Sequence, residues 1–273
     1  MAIYSNSRLE LRHLLANLMH DHIVGVVASP ASGTFVCATT HWDKPDDHFN
    51  DYLEVFDYSG TGIGTSGNPT NWVQSTHTLT FSPVATLTAG DLVEIHQRFT
   101  VEEYNNAINH AIDLVANEAL LDRVNETITL VTGTYQYNIP TQFLYIDELR
   151  VSDDNGDFTQ QTPLDNKTEW RPVKATQAVI EFIKGNYNPV TGRTLRITGS
   201  ASPGRLETDA EECPIDPEYV IQSAKSFLHQ SRIRGNTKDP EDHQGQMQLA
   251  RVLAQERVSY MSANRTGVAI VEI

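Results

Sequence analysis

Thr100-Val101-Glu102-Glu103-Tyr104-Asn105-Asn106-Ala107-Ile108-Asn109-His110-Ala111-Ile112 is the stretch from which the rest of the chain can be laid out. It opens on a capping box: Thr100 and Glu103, three residues apart, can each satisfy the other's backbone N–H. Tyr104, Ile108, Ala111, Ile112, Val115 and Ala119 then recur at helical spacing, while Glu102, Asn105, Asn106, Asn109, Asp113 and Asn117 occupy other faces. The pattern predicts an amphipathic helix over residues 101–122.

Upstream of it the period changes from helical to alternating. Ile23–Ala28, Thr34–Thr39, Tyr52–Tyr58, Thr78–Phe81 and Asp91–Gln97 read as short strands. Turn signals separate them at Ser29-Pro30-Ala31-Ser32-Gly33 and Ala89-Gly90-Asp91, and the glycine-rich run from Ser59 to Pro69 reads as a loop. Five short strands predict a small antiparallel barrel or sandwich. Before them, Ser7-Arg8-Leu9-Glu10 is a second capping box, and Leu11, Leu14, Leu15 and Leu18 share one face of a helix ending near His20.

Downstream, Ile128–Val131, Tyr135–Ile139, Leu144–Val151, Val179–Lys184 and Leu195–Thr198 make a second β region, with turns at Asp153–Asp157 and Asn188–Gly192. Asp216-Pro217 and Asp239-Pro240 start two more helices. Val220, Ala224, Phe227 and Leu228 line the first; Met247, Ala250, Ala254, Val258 and Met261 line the second. The fold class is therefore α+β: a four-helix bundle core with inserted antiparallel β modules. The boundaries are 1–21 for the N-terminal bundle helix, 22–98 for the inserted β module and 99–124 for the central helix. A second β region follows at 125–212, bundle helices at 213–262 and an extended tail at 263–273.

The chain has 273 residues and a formal net charge of −15. So acidic a surface disfavours tight binding to phosphate backbones. No apolar run reaches the roughly 18 residues a membrane helix needs, and Met1–Ser7 carries neither the basic segment nor the apolar core of a signal peptide. Cys37 and Cys213 stand far apart and outside any paired-cysteine spacing, as expected for two free thiols in a reducing compartment.

None of the candidate catalytic constellations is complete. His20-Asp21-His22 puts two imidazoles around a carboxylate, but at a helix–strand junction, where polar residues serve solvation. The loop with His41-Trp42-Asp43 and Asp46-Asp47-His48 lacks EF-hand spacing. Glu102/Glu103 and Glu211/Glu212 lie at or before helix starts, where negative charge suits the dipole, and Asp153/Asp154 lies in a turn. Gly60-Thr61-Gly62-Ile63-Gly64 lacks the Gly-Lys-Ser/Thr ending of a phosphate loop, and no Gly-x-Ser-x-Gly elbow occurs. The expectation is no catalytic residue, no cofactor-binding residue and no metal ligand.

Ala89-Gly90-Asp91-Leu92-Val93-Glu94-Ile95, running into Phe99-Thr100-Val101-Glu102-Glu103 and Ala107-Ile108-Asn109, resembles tailed-bacteriophage head–tail adaptor (connector) proteins. So does Leu195-Arg196-Ile197-Thr198-Gly199 followed by Ile215-Asp216-Pro217-Glu218. The likeness covers most of residues 85–260. It implies a structural virion protein, not an enzyme, made in the host cytoplasm and built into the neck between capsid and tail. It implies a ring, typically a dodecamer, whose partners are the portal protein, a downstream tail or neck protein and further copies of itself. Genomic DNA would pass through the ring without sequence-specific binding, and no membrane would be involved. Val268, Ala269, Ile270, Val271 and Ile273 form an apolar, β-prone end suited to adding as a strand to a partner; closure of a sheet within its own subunit is the alternative. The other functional class left open is a receptor- or carbohydrate-binding module using Trp42, Tyr58 and Trp72.

Overall fold

The computed structural model describes residues 6–31, 34–37, 43–82, 87–141, 143–173, 178–233, 240–261 and 268–269. Two compact units divide the chain: Met1–Ala111 with Leu206–Arg257, and Ile112–Arg205 with Val258–Ile273.

The first unit holds a closed six-stranded barrel, β2 (Ile23–Ala31), β3 (Thr34–Cys37), β4 (Glu54–Asp57), β5 (Ser66–Val73), β6 (Thr78–Ser82) and β7 (Leu92–His96), joined in the order β2-β3-β6-β5-β4-β7. Closure removes the free edges that five or six short strands would otherwise leave open to other chains. Val27, Phe35, Phe49, Trp72, Leu79, Phe81, Val93 and Ile95 fill its interior. The Ala89-Gly90-Asp91 turn forms as expected: the Asp91 carboxylate accepts from the Thr88 N–H at 2.7 Å and from its hydroxyl at 2.6 Å, and Gly90 takes a positive φ of 96°. Part of the glycine-rich run departs from the loop expectation. Ser66–Val73 is a barrel strand, whose register shifts between Pro69 and Asn71 because proline cannot donate to the ladder.

Two helices and most of two others lie in this unit. In α1 (Arg8–Leu18) both halves of the Ser7/Glu10 capping box are formed. In α2 (Val101–Val115), the Thr100 N–H donates to the Glu103 carboxylate at 2.9 Å, and the Glu103 N–H to the Thr100 hydroxyl at 3.2 Å. In α3 (Pro217–Ile233), Asp216 accepts from the Glu218 N–H at 2.9 Å. α4 spans Pro240–Met261, and its N-cap candidate Asp239 lies outside the described residues. The α+β class thus holds. α1 packs against α3, but the inner face of α1 is not the leucine stripe of the sequence reading. Leu11 and Leu15 are fully buried, whereas Leu14 and Leu18 are 45% and 47% exposed and Arg12 and Ala16 are buried instead.

In the second unit β8 (Leu121–Thr129), β10 (Tyr145–Val151), β13 (Thr194–Ala201) and β15 (Val268–Ala269) form a sheet in the order β15-β10-β13-β8. β9 (Gln136–Asn138), β11 (Trp170–Val173) and β12 (Val179–Phe182) form another. Both pack around Phe143, Leu149, Trp170, Ile180 and Phe182. The central helix is shorter than residues 101–122. After Val115 the chain turns, and Leu121 onward is drawn into a ladder with β13, from Leu121↔Ala201 to Thr129↔Thr194, where backbone pairing overrides the helical pattern. A short ladder, β1 (Asn6–Ser7) with β14 (Glu212–Cys213), ties the start of α1 to the segment before α3. Cys37 and Cys213 are separate buried thiols.

Candidate functional site

Strand β7 reads Leu92-Val93-Glu94-Ile95-His96. Alternation sends Val93 and Ile95 into the barrel, so Glu94 and His96 point out of it. Yet both are 0% exposed, because α1 lies over this face and lowers Arg12 and His13 onto them.

Arg12, itself 0% exposed, organises the cluster. Its Nε donates to Glu94 Oε1 at 3.0 Å, Nη1 to Asn105 Oδ1 at 3.1 Å and Asp209 Oδ1 at 2.8 Å, and Nη2 to Asp209 Oδ2 at 2.7 Å. Nη2 also lies 2.8 Å from Glu94 Oε1, and the guanidinium stands 5.4 Å from the Phe56 ring centroid. Four directed hydrogen bonds and two carboxylates thus surround the guanidinium, the condition under which a buried arginine is tolerated. Burial works against the charged form of Arg12, but Asp209 and Glu94 outweigh it and hold its pKa above the ordinary value. Burial alone would raise Glu94. The nearby imidazoles of His13 and His96, with the charge on Arg12, instead hold its carboxyl far below the usual range.

Asp21 is the second buried anchor. Its Oδ1 accepts from the N–H groups of Gln97 and Arg98 at 2.6 and 2.8 Å. Its Oδ2 accepts from the Phe99 N–H at 3.0 Å and the Tyr104 hydroxyl at 2.9 Å. These bonds fix the corner between β7 and α2. Burial, then the Asp21 charge, push the Tyr104 phenol well above its ordinary value. His96 Nδ1 donates to the Asp21 carbonyl at 2.8 Å. Burial would lower His96, but Glu94 and then Asp21 raise it.

His13 and His22 complete the cluster, with ring centroids 4.4 Å apart. His13 Nε2 and His96 Nε2 approach Glu94 Oε2 at 3.1 and 3.4 Å. Distance is met but alignment is not: Nε2 of His13, His22 and His96 and Oε2 of Glu94 all lack a directed hydrogen bond. His22 Nδ1 lies 3.1 Å from Asn17 Oδ1. Burial, then the neighbouring His13, lower the His22 pKa to about 4. One ligand atom each from His13, His22 and Glu94 falls within 4.8 Å of the others.

Of the His20-Asp21-His22 triplet, His22 joins this cluster, Asp21 is spent on backbone N–H groups, and His20 is exposed with a positive φ of 53°. In the Asp/His loop, Asp46 accepts from the Gln74 N–H and Asp43 from its side chain, both at 2.7 Å, while His41 and Trp42 lie outside the described residues. Trp72 is 0% exposed on β5 and donates to the Lys44 carbonyl at 2.9 Å, so it offers no face to a sugar. Of the five apolar docking residues, Val268 and Ala269 pair with Ile146 and Tyr145 of the same chain. Ile270, Val271 and Ile273 lie outside the described residues.

The family model for the SU10 adaptor protein matches residues 79–267. This chain belongs to the SU10 adaptor protein family. The adaptor resemblance drawn from Ala89–Asn109 and Leu195–Glu218 falls within the matched span. No curated protein matches the adaptor chain. One similar solved structure, the "Neck of empty GTA particle computed with C6 symmetry", is 16% identical over 60% of this chain and 76% of that one. Its TM-score of 0.24 is too low to establish a shared fold. Among the described residues no helix is long and apolar enough to cross a membrane.

Proposed function

We propose that this adaptor assembles head to tail into a closed ring, a dodecamer, between the portal protein and the next tail or neck protein. In this arrangement the ring lines the path of the genomic DNA. Family membership carries the proposal. Three properties of the chain fit it. Heterologous contacts that close give rings, and Leu14 and Leu18, one turn apart on α1, leave apolar surface for such a contact. A net charge of −15 favours passage of DNA over adhesion to it. The Arg12–Glu94–Asp21 cluster fixes helices to the barrel and is assigned no catalytic step. The four helices gather as a bundle that carries the segment 22–98 as an insert. The adaptor is made in the host cytoplasm and ends in the virion.

The apolar end, Ile270, Val271 and Ile273, continues from β15 as an arm onto a neighbouring subunit or the portal, with main-chain hydrogen bonds supplying affinity. Deleting residues 270–273 should leave the melting temperature nearly unchanged and abolish incorporation onto portal-bearing heads. A truncated protein that assembles normally overturns the docking arm. A ring that fails to form from the intact chain on portal-bearing heads overturns the assembly itself.

A further inference from the structure

Three nitrogen and oxygen atoms from distant parts of the chain converge, each without a directed hydrogen bond, where α1 meets the barrel. Glu94 divides its carboxylate: Oε1 is held by Arg12, and Oε2, fully buried, faces His13 and His96. His22 turns Nδ1 to the Asn17 side chain, leaving Nε2 without a hydrogen bond. His13 Nε2 is likewise unbonded, and its side chain is 22% exposed, which gives an ion a way in from solvent. Buried polar atoms rarely lack directed hydrogen bonds, and three of them around one point are arranged to share a common partner.

We propose that His13, His22 and Glu94 bind a divalent transition metal, zinc by donor type. Two imidazoles and one carboxylate suit zinc and its neighbours, whereas calcium and magnesium call for oxygen donors throughout. Around a tetrahedral ion at about 2.0–2.1 Å, ligand atoms stand about 3.3 Å apart. The His13–Glu94 pair, at 3.1 Å, already meets that spacing. The three atoms span at most 4.8 Å, so the widest pair closes by about 1.5 Å, within reach of side-chain rotation. Arg12 on Oε1 and Asn17 on His22 Nδ1 supply the outer hydrogen bonds that orient metal ligands. The ion ties α1 through His13, the α1–β2 link through His22 and strand β7 through Glu94, so it staples the N-terminal helix to the barrel. Three protein ligands leave a fourth position to solvent. The site goes beyond the sequence expectation of no metal ligand and does not depend on the ring.

The test is titration of the metal-stripped full-length chain with Co2+, followed by the visible absorption of tetrahedral cobalt and its displacement by zinc. The expected result is one ion per chain, a melting temperature that rises with zinc, and binding weakened at least about tenfold in both His13→Ala and His22→Ala. His20→Ala should bind as the parent does. If His22→Ala loses its circular-dichroism signature, His13→Ala decides, since its partly exposed side chain can be removed without opening the core. A parent chain that takes up no cobalt overturns the site, and so does uptake that survives the His13 substitution.

Discussion

Arg12→Ala is the substitution that most sharply tests how α1 is held. Arg12 faces four acceptor atoms on Glu94, Asn105 and Asp209, and the two side chains of the Arg12–Glu94 pair are both 0% exposed. Removing the guanidinium leaves a fully buried Glu94 carboxylate without its arginine partner. Breaking one partner out of a buried ion pair costs about 3–5 kcal/mol, against about 0–1 kcal/mol for an exposed pair. The loss should therefore fall near 4 kcal/mol, a large share of a typical domain's stability. Urea unfolding, followed by circular dichroism with chelator present, measures it as a lower midpoint at constant slope. The double substitution Arg12→Ala/Glu94→Gln removes both charges and should recover at least half of the loss, so that with the single Glu94→Gln variant the cycle gives a coupling energy of about 2 kcal/mol or more. A loss under about 1 kcal/mol for Arg12→Ala would refute the view that this pair is desolvated and holds α1 on the barrel.

Two further predictions concern acid and base. Asp57 is 1% exposed, and burial, then the nearby Asp91, raise its pKa from 3.8 to about 6 even though the Ser59 N–H donates to it. Its protonated form stabilises the fold below about pH 4, and that contribution is lost as pH rises through 6. Asp57→Asn should therefore gain up to about 3 kcal/mol at pH 7, with no gain near pH 4; a variant less stable than the parent at pH 7 contradicts this. His229 on α3 meets His243 on α4 at 2.9 Å between Nδ1 atoms, and burial, then the His243 neighbour, lower its pKa from 6.5 to about 4. Its neutral form is the stabilising one, so stability is full above pH 6.5 and falls by about 3 kcal/mol towards pH 4. His229→Leu should flatten that part of the acid limb in thermal melts, and an unchanged limb would show that the pair carries no such load.

What could be read from the sequence was whatever local rules decide. The capping boxes at Ser7 and Thr100 and the stripe of α2 are matters of neighbouring residues, and they formed as expected. The barrel was legible as alternating runs between turns, although Ser66–Val73 was hidden by its glycine and proline. What failed was decided by tertiary partners. The face of α1 was misjudged because four leucines outweigh one arginine in any hydrophobic count, while Arg12 had acceptors waiting on β7 and at Asp209. The end of α2 was misjudged because the β13 ladder captured Leu121–Thr129. The polar cluster was illegible as a site because His13, His22 and Glu94 are brought together only by the fold. One signal was present all along: in Val93-Glu94-Ile95-His96 the face turned away from the barrel core carries two ionisable groups, which reads as solvent-facing until a helix with Arg12 and His13 is placed over it.

The central claim, that this adaptor works as a ring in the particle neck, is tested most directly by imaging the particle into which it assembles. A reconstruction should show several symmetry-related copies of this chain between head and tail, in contact with the portal and surrounding the DNA passage. A single copy of the chain, or copies placed anywhere other than the neck, would contradict it.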